Sequence, residues 1–230
     1  MENSRLYDMH IHTKYSPDSA SEIRDIFRIA KKRGLDGVAI TDHDTMEGAL
    51  KAHKLSKKYE LSVIIGCEYS TDAGDIIGYF LNEDIKTRNI FEVIDRVHQQ
   101  GGLVSIPHPF DRFRARGSIF YVNKNALNQV KNNIDFVEIN GKCFGNFNNR
   151  AKKFAEDNNL QLIGGSDSHE APETGKICTK FTGGNITGNS EIDREFFSSP
   201  GYKMEIVNSA GFMYPAGIFI RRKFKKYLKI

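Results

Sequence analysis

Short apolar runs alternate along this chain with segments whose apolar residues fall three and four positions apart, and that alternation sets an element order before any chemistry is considered. Residues 5–12, RLYDMHIH, read as a strand. Residues 21–34 read as a helix with Ile23, Ile26, Phe27 and Ala30 on one face, Ser21 as N-cap and Gly34 as stop. Strand 36–43 and helix 46–59 repeat the pair. Residues 62–69 and 74–80 are two strands with a short turn between them, a hairpin or a strand feeding an irregular partner. Helix 90–102, strands 103–110 and 135–140, helix 148–159 and strand 160–167 complete the series. With no linker dividing it, one domain is expected to about residue 185, followed by an extension over 186–230. Alternating β and α units predict an α/β fold around a parallel sheet, open or closed into a barrel.

Composition changes this picture little. At 230 residues and 39% apolar content the chain can bury a sizeable core. No window approaches 18 consecutive apolar residues and the first 25 carry acidic and polar groups, so a cytoplasmic protein without a leader is the expectation. Cys67, Cys143 and Cys178 are scattered with no CxxC pair, which predicts free thiols and no thiolate zinc site. The net charge of +4 comes from the end of the chain: the last ten residues hold six basic groups, leaving 27 basic against 29 acidic residues elsewhere. If helical, that end puts Ile220, Phe224, Tyr227 and Leu228 on one face and basic groups on the rest. It is read as an amphipathic helix packed on or beside the barrel, with weak contact to an anionic membrane or to nucleic acid as its alternative use. No obligate protein partner is evident.

The polar residues carry the chemistry. His10 and His12 end the first strand, Asp42 and His43 the second, Glu68 the third, His108 the next, Glu138 another, and Asp167 and His169 the last. Strand ends of such folds open on one rim, so residues distant in sequence converge there. Residues i and i+2 of a strand share a face, so His10 and His12 can both offer nitrogen to one ion. His53 and His98 fall inside helices and are assigned no role. Mixed imidazole and carboxylate without thiolate suits zinc, manganese or iron, and so many ligands imply more than one ion, with Glu68 or Asp167 able to bridge. Such a site serves phosphoester hydrolysis most naturally, although amide hydrolysis uses similar ligands. Arg112, Arg114 and Arg116, after His108, with Lys142 from the opposite side, are candidates to hold substrate phosphate.

In order and interval, DMHIHTKYSPDS, ITDHDT, GCEYS, IPHP and GGSDSHEAPETG resemble the motifs of the PHP family, named for its polymerase and histidinol phosphatase members, over roughly residues 6–180. The resemblance implies a distorted seven-stranded β/α barrel holding two or three divalent ions at the carboxyl rim of its strands, and a phosphoesterase acting on a small phosphorylated metabolite or a nucleotide or oligonucleotide ester. It places His10, His12, Glu68 and Asp167 on a first ion, Glu68 and His108 on a second, and Asp18, His43 and His169 on a third. His43 or Asp42 would assist proton transfer to or from metal-activated hydroxide. Where the family pattern has a histidine after the glutamate, this chain offers Asp75, a harder ligand that favours manganese over zinc. The rival expectation is a catalytically silent metal-binding module acting in binding or regulation.

Overall fold

The computed structural model describes residues 4–114, 117–144, 146–183 and 192–208. Nine strands, β1 (Ser4–Ile11), β2 (Gly37–Ile40), β3 (Ser62–Thr71), β4 (Gly74–Tyr79), β5 (Leu103–Ile106), β6 (Phe136–Asn140), β7 (Gln161–Gly165), β8 (Ile177–Thr182) and β9 (Lys203–Asn208), lie in one sheet in the order β7-β6-β5-β4-β3-β2-β1-β8-β9. The helices are α1 (Ile23–Lys32), α2 (Glu47–Tyr59), α3 (Ile90–Gln99), α4 (Ile119–Val122), α5 (Lys124–Val130) and α6 (Phe147–Asp157).

The first seven strands form a ring that is nearly closed. Ile11 bridges Ser168, the Ser168 carbonyl accepts from His12 N at 2.8 Å, and Ser166 N donates to the Asp8 carboxylate at 2.8 Å, so the chain leaving β7 lies along the carboxyl half of β1. Glycine is required at this seam, because a Cβ at Gly165 would collide with His10. The amino half of β1, Ser4–Tyr7, pairs instead with β8. β9 pairs antiparallel with β8, so residues on both sides of 185 share one sheet. β8 and β9 are two strands beyond the expected seven; they pair antiparallel, without the strand–helix alternation that marks the preceding units. The basic segment 220–229 lies outside the described residues, and among those described no helix is long and apolar enough to cross a membrane.

β4 takes the hairpin alternative: it runs antiparallel to both β3 and β5, because the two-residue link after Thr71 can only close a hairpin. Its amino end therefore stands at the rim where the other strands end. Segment 111–134, given no element from the pattern, holds a 3₁₀ turn at Arg112–Arg114 followed by α4 and α5.

Packing explains the helices. In α1, Ile23, Ile26, Phe27 and Ala30 are buried, and Phe27 meets Tyr59 of α2 edge to face at 5.2 Å. Ser21 does not cap this helix; Glu22 holds the cap position, and the Ser21 hydroxyl donates to the His169 carbonyl at 3.0 Å. Gly34, at φ +70°, ends it as expected. Asn89 caps α3 by accepting from Glu92 N, so Asn89→Ala is expected to cost about 1 kcal/mol, read as a lower urea midpoint with unchanged slope. Inside the ring Tyr7, Met9, Ala39, Ile64, Tyr79, Phe136 and Ile163 pack together, closed at the end away from the rim by Phe181 and Phe196.

The register of β1 on β2 shifts between Asp8 and Ile11. Tyr7 and Met9 pack in the ring interior, whereas Ile11 packs with the residues of α1 and α2. This irregularity turns His10 and His12 to the interior side at the rim.

Candidate metal centre

His10 and His12 stand with their Nε2 atoms 2.9 Å apart, each 3.1 Å from Glu68 Oε2. Asp167 Oδ1 lies 3.9 Å from the first nitrogen and 3.5 Å from the second. Glu68, reaching in from β3, turns its other oxygen, Oε1, to His108 Nε2 at 3.1 Å. On the outer side His169 Nε2 is 2.8 Å from Asp18 Oδ2, and His43 Nε2 is 3.6 Å from Asp18 Oδ2 and 3.5 Å from Glu68 Oε2. Three groups result, with potential ligand atoms all within 4.8 Å of one another in each: His10, His12 and Asp167; Glu68, Asp75 and His108; His12, Asp18, His43 and His169. All nine residues named from the sequence as ligands fall in these groups. Asp75 joins Glu68 and His108 because antiparallel β4 begins at the rim.

The donor set fits divalent cations. Asp167 Oδ1 is buried and has no hydrogen-bond partner, although it faces three imidazole nitrogens, those of His10, His12 and His169. Burial, and next the negative charge of Glu68, push the Asp75 carboxyl up to about 8; a cation between the two relieves that repulsion. Burial would also raise Glu68, but the surrounding histidines, His43 and His10 foremost, hold it well below the usual carboxylate range. Asp167 is likewise held low against its burial by Arg114 and Lys142. Burial, followed by His12 and Lys142, pushes His169 down toward its neutral, ligating form. His108 and Asp167 adopt φ of +33° and +54°, a left-handed backbone that costs energy away from glycine and here aims both side chains at the centre.

A second layer holds the ligands. Glu138 Oε1 lies 2.7 Å from His10 Nδ1, which leaves His10 Nε2 as the ligating atom. Its Oε2 accepts from His108 N and from Asn140 Nδ2, both at 2.9 Å, and Asn140 Nδ2 also reaches Asp167 Oδ2 at 3.2 Å. Ser16 Oγ contacts His12 Nδ1 at 3.3 Å and accepts from His43 N at 3.3 Å. Glu173 accepts from His169 N at 2.9 Å and pairs with Lys142 at 3.2 Å. The sequence reading gave Ser16 and Glu173 no role; their only signal was position within the motifs that contain the ligands.

The residues expected to work on substrate separate in the fold. Asp42 is not placed for proton transfer: its two oxygens accept from Thr13 N at 2.5 Å and Thr13 Oγ1 at 2.7 Å, so it braces the loop after β1 and lies outside the three groups. A Cβ at Gly48 would strike the same carboxylate, which keeps α2 close to it. Arg114 turns inward to pair with Asp167 Oδ2, with its Nε 3.5 Å from Asp111. Lys142 is buried, its Nζ 2.6 Å from His169 Nδ1. Arg112 is exposed and lies over the Phe113 ring at 5.0 Å. Arg116 lies outside the described residues. His53 and His98 are away from the centre, the first contacting the Val63 carbonyl and the second Asp135.

Comparison with known proteins identifies the family. A family model described as the PHP domain matches residues 8–164, and one described as PHP-associated matches 145–196. An uncharacterized protein of Methanocaldococcus jannaschii is 47% identical over 114 residues, covering 45% of this chain and 67% of its own length. A second uncharacterized protein of that organism is 31% identical over 193 residues, covering 83% and 76%. Among solved structures, a two-domain protein from Bacteroides vulgatus, described as containing a "predicted PHP-like metal-dependent phosphoesterase", superposes with a TM-score of 0.66 at 19% identity. That match covers 79% of this chain and 59% of the other, and it is a likeness of fold.

Proposed function

This chain belongs to the PHP domain family, and from that premise we propose that it hydrolyses phosphate esters with divalent ions held by the three groups of ligands at its rim. The observation that carries the reading is Glu68, whose two oxygens face different imidazoles, His10 and His12 on one side and His108 on the other. A carboxylate so placed can hold two ions close together. When bound, such ions polarise a phosphoryl oxygen and supply a nucleophilic water acidified toward neutral pH.

The protein's own residues prepare the site for that chemistry. Glu138 fixes the orientation of His10, and Asn140 and Arg114 occupy Asp167 Oδ2 so that Oδ1 is left for an ion. Lys142 and Arg114 offset the carboxylates that would otherwise repel an anionic substrate. Of the two described arginines of that loop, Arg112, at the exposed edge, is the one left to meet substrate phosphate. The carboxylate-rich group of Glu68, Asp75 and His108 suits manganese or iron, and the histidine-rich group of His12, Asp18, His43 and His169 suits zinc.

The test is hydrolysis of nitrophenyl phosphate and bis-nitrophenyl phosphate by the full chain with manganese or zinc added, each beside a chelator control. Turnover lost with chelator is expected, and the preferred ester separates phosphatase from phosphodiesterase. A protein that binds metal stoichiometrically yet hydrolyses neither these esters nor a nucleotide or histidinol phosphate overturns the proposal in favour of a silent binding module. The complete set of nine ligand residues favours the enzyme.

A further inference from the structure

One side of the rim carries a chain of aromatic rings and cations that the ligand groups do not use. Phe113, in the turn after β5, is 69% exposed, the highest exposure among the described large apolar residues. An isolated exposed phenylalanine needs no explanation, but this one has ordered neighbours. Arg112 lies over its ring at 5.0 Å, and Phe147, at the start of α6, meets it edge-on at 6.0 Å. Three residues along α6, on the same face, Arg150 lies 4.7 Å from the rings of both Phe110 and Phe120 and donates to the Tyr121 hydroxyl at 3.1 Å. Tyr121 is 40% exposed, and Lys124 stands over Phe120 at 5.6 Å.

The row thus runs Arg112, Phe113, Phe147, Arg150, Tyr121 and Lys124, three rings among three cations, with two rings open to solvent. It starts in the same turn as Arg114, which follows Phe113 in the chain and pairs with Asp167 of the metal centre. Planar rings at the surface offer stacking faces to bases of any sequence, while cations between them track a phosphate backbone. A small sugar phosphate would use neither the second ring nor the distant cations.

We infer that this row binds the end of a single-stranded oligonucleotide and leads its terminal phosphate ester to the metal centre. The direction of the strand rests on the phosphoesterase reading; the stacking contact does not. Neutralising charge comes from the row itself, as Arg112, Arg150 and Lys124 have aromatic neighbours and no carboxylate partner among the described ion pairs. Phe113 is exposed, so replacing it leaves the core intact.

The experiment is fluorescence anisotropy of a short labelled oligothymidylate with the full chain in chelator, so that binding is read without turnover. The native protein is expected to bind the strand, Phe113→Leu to weaken it by about tenfold, and Phe113→Trp to retain or tighten it. Arg112→Gln should make the dependence of log affinity on log salt shallower by about 0.7. Equal binding by native and Phe113→Leu protein overturns the inference. So does equal binding of an abasic strand, or competition by thymidine monophosphate as effective as by the strand. The two readings fail separately: metal-dependent hydrolysis of bis-nitrophenyl phosphate without ring-dependent strand binding removes the row and leaves the enzyme. Ring-dependent binding without hydrolysis of any ester keeps the row and removes the enzyme.

Discussion

Glu68→Gln is expected to lower metal-dependent ester hydrolysis by about a thousandfold or more and to remove at least one equivalent of bound metal. The side chain is buried and stands between all three groups of ligands, its Oε2 3.1 Å from His10 and His12 and 3.5 Å from His43, its Oε1 3.1 Å from His108. Glutamine keeps the shape but loses the charge, and its amide nitrogen would face one set of imidazoles with a donor where a ligand is needed. Loss of a few kcal/mol of charge stabilisation in the transition state gives a rate effect of this size. Metal analysis of the purified variant separates a lost ion from a lost fold. Native metal content together with native turnover in Glu68→Gln would remove the bridging role.

Glu138→Gln is expected to weaken metal binding by about 10- to 100-fold without Glu138 touching an ion. Its carboxylate holds His10 Nδ1 at 2.7 Å and so selects the tautomer with Nε2 free, and the same carboxylate ties the backbone of His108 and the amide of Asn140. Glutamine can still accept from Nδ1 through its oxygen, but without the charge that makes the imidazole a stronger donor to metal. The measurement is competition with a fluorescent chelator over a range of free zinc or manganese. A purely structural role would lower the unfolding temperature of metal-free and metal-loaded protein alike. A role acting through His10 lowers the stabilisation that metal adds, which follows the ratio of metal concentration to dissociation constant.

Much of the site was legible in the primary structure because ligand chemistry restricts residue type. Histidine pairs at i and i+2, and carboxylates at strand ends, stand out against apolar surroundings, and the intervals between them match one strand–helix unit. Asp75 is placed only by the hairpin alternative for residues 62–80: a strand feeding a distant partner would leave it away from the site, and the reversal of β4 brings it to Glu68. Asp42 shows the opposite failure. It is adjacent to His43 in sequence, but both lie beyond the end of β2, and its carboxylate turns to Thr13 instead of the centre.

The arginines make the same point at longer range. Arg112 and Arg114 lie in one loop and are chemically alike, yet one covers Phe113 at the surface and the other reaches Asp167 in the interior. No local pattern distinguishes them. The grouping of Phe113, Phe147 and Tyr121 with Arg112, Arg150 and Lys124 is likewise invisible along the chain, because its members come from segments separated by β6 and brought side by side only when the ring forms.

By itself, the sequence determined the order of elements from β1 to β7, apart from α4 and α5, and the apolar faces that bury them, because periodicity is a local property. Side-chain chemistry marked seven of the nine candidate ligands, and the family resemblance added Asp18 and Asp75. Tertiary structure alone decided the closing of β7 on β1, the choice of the hairpin for β4 between the two readings the sequence left open, the register shift that turns His10 and His12 inward, and the partner of each arginine. Those depend on which segments meet across the ring, and hydrogen-bond geometry and close packing settle that only once all the strands are in place.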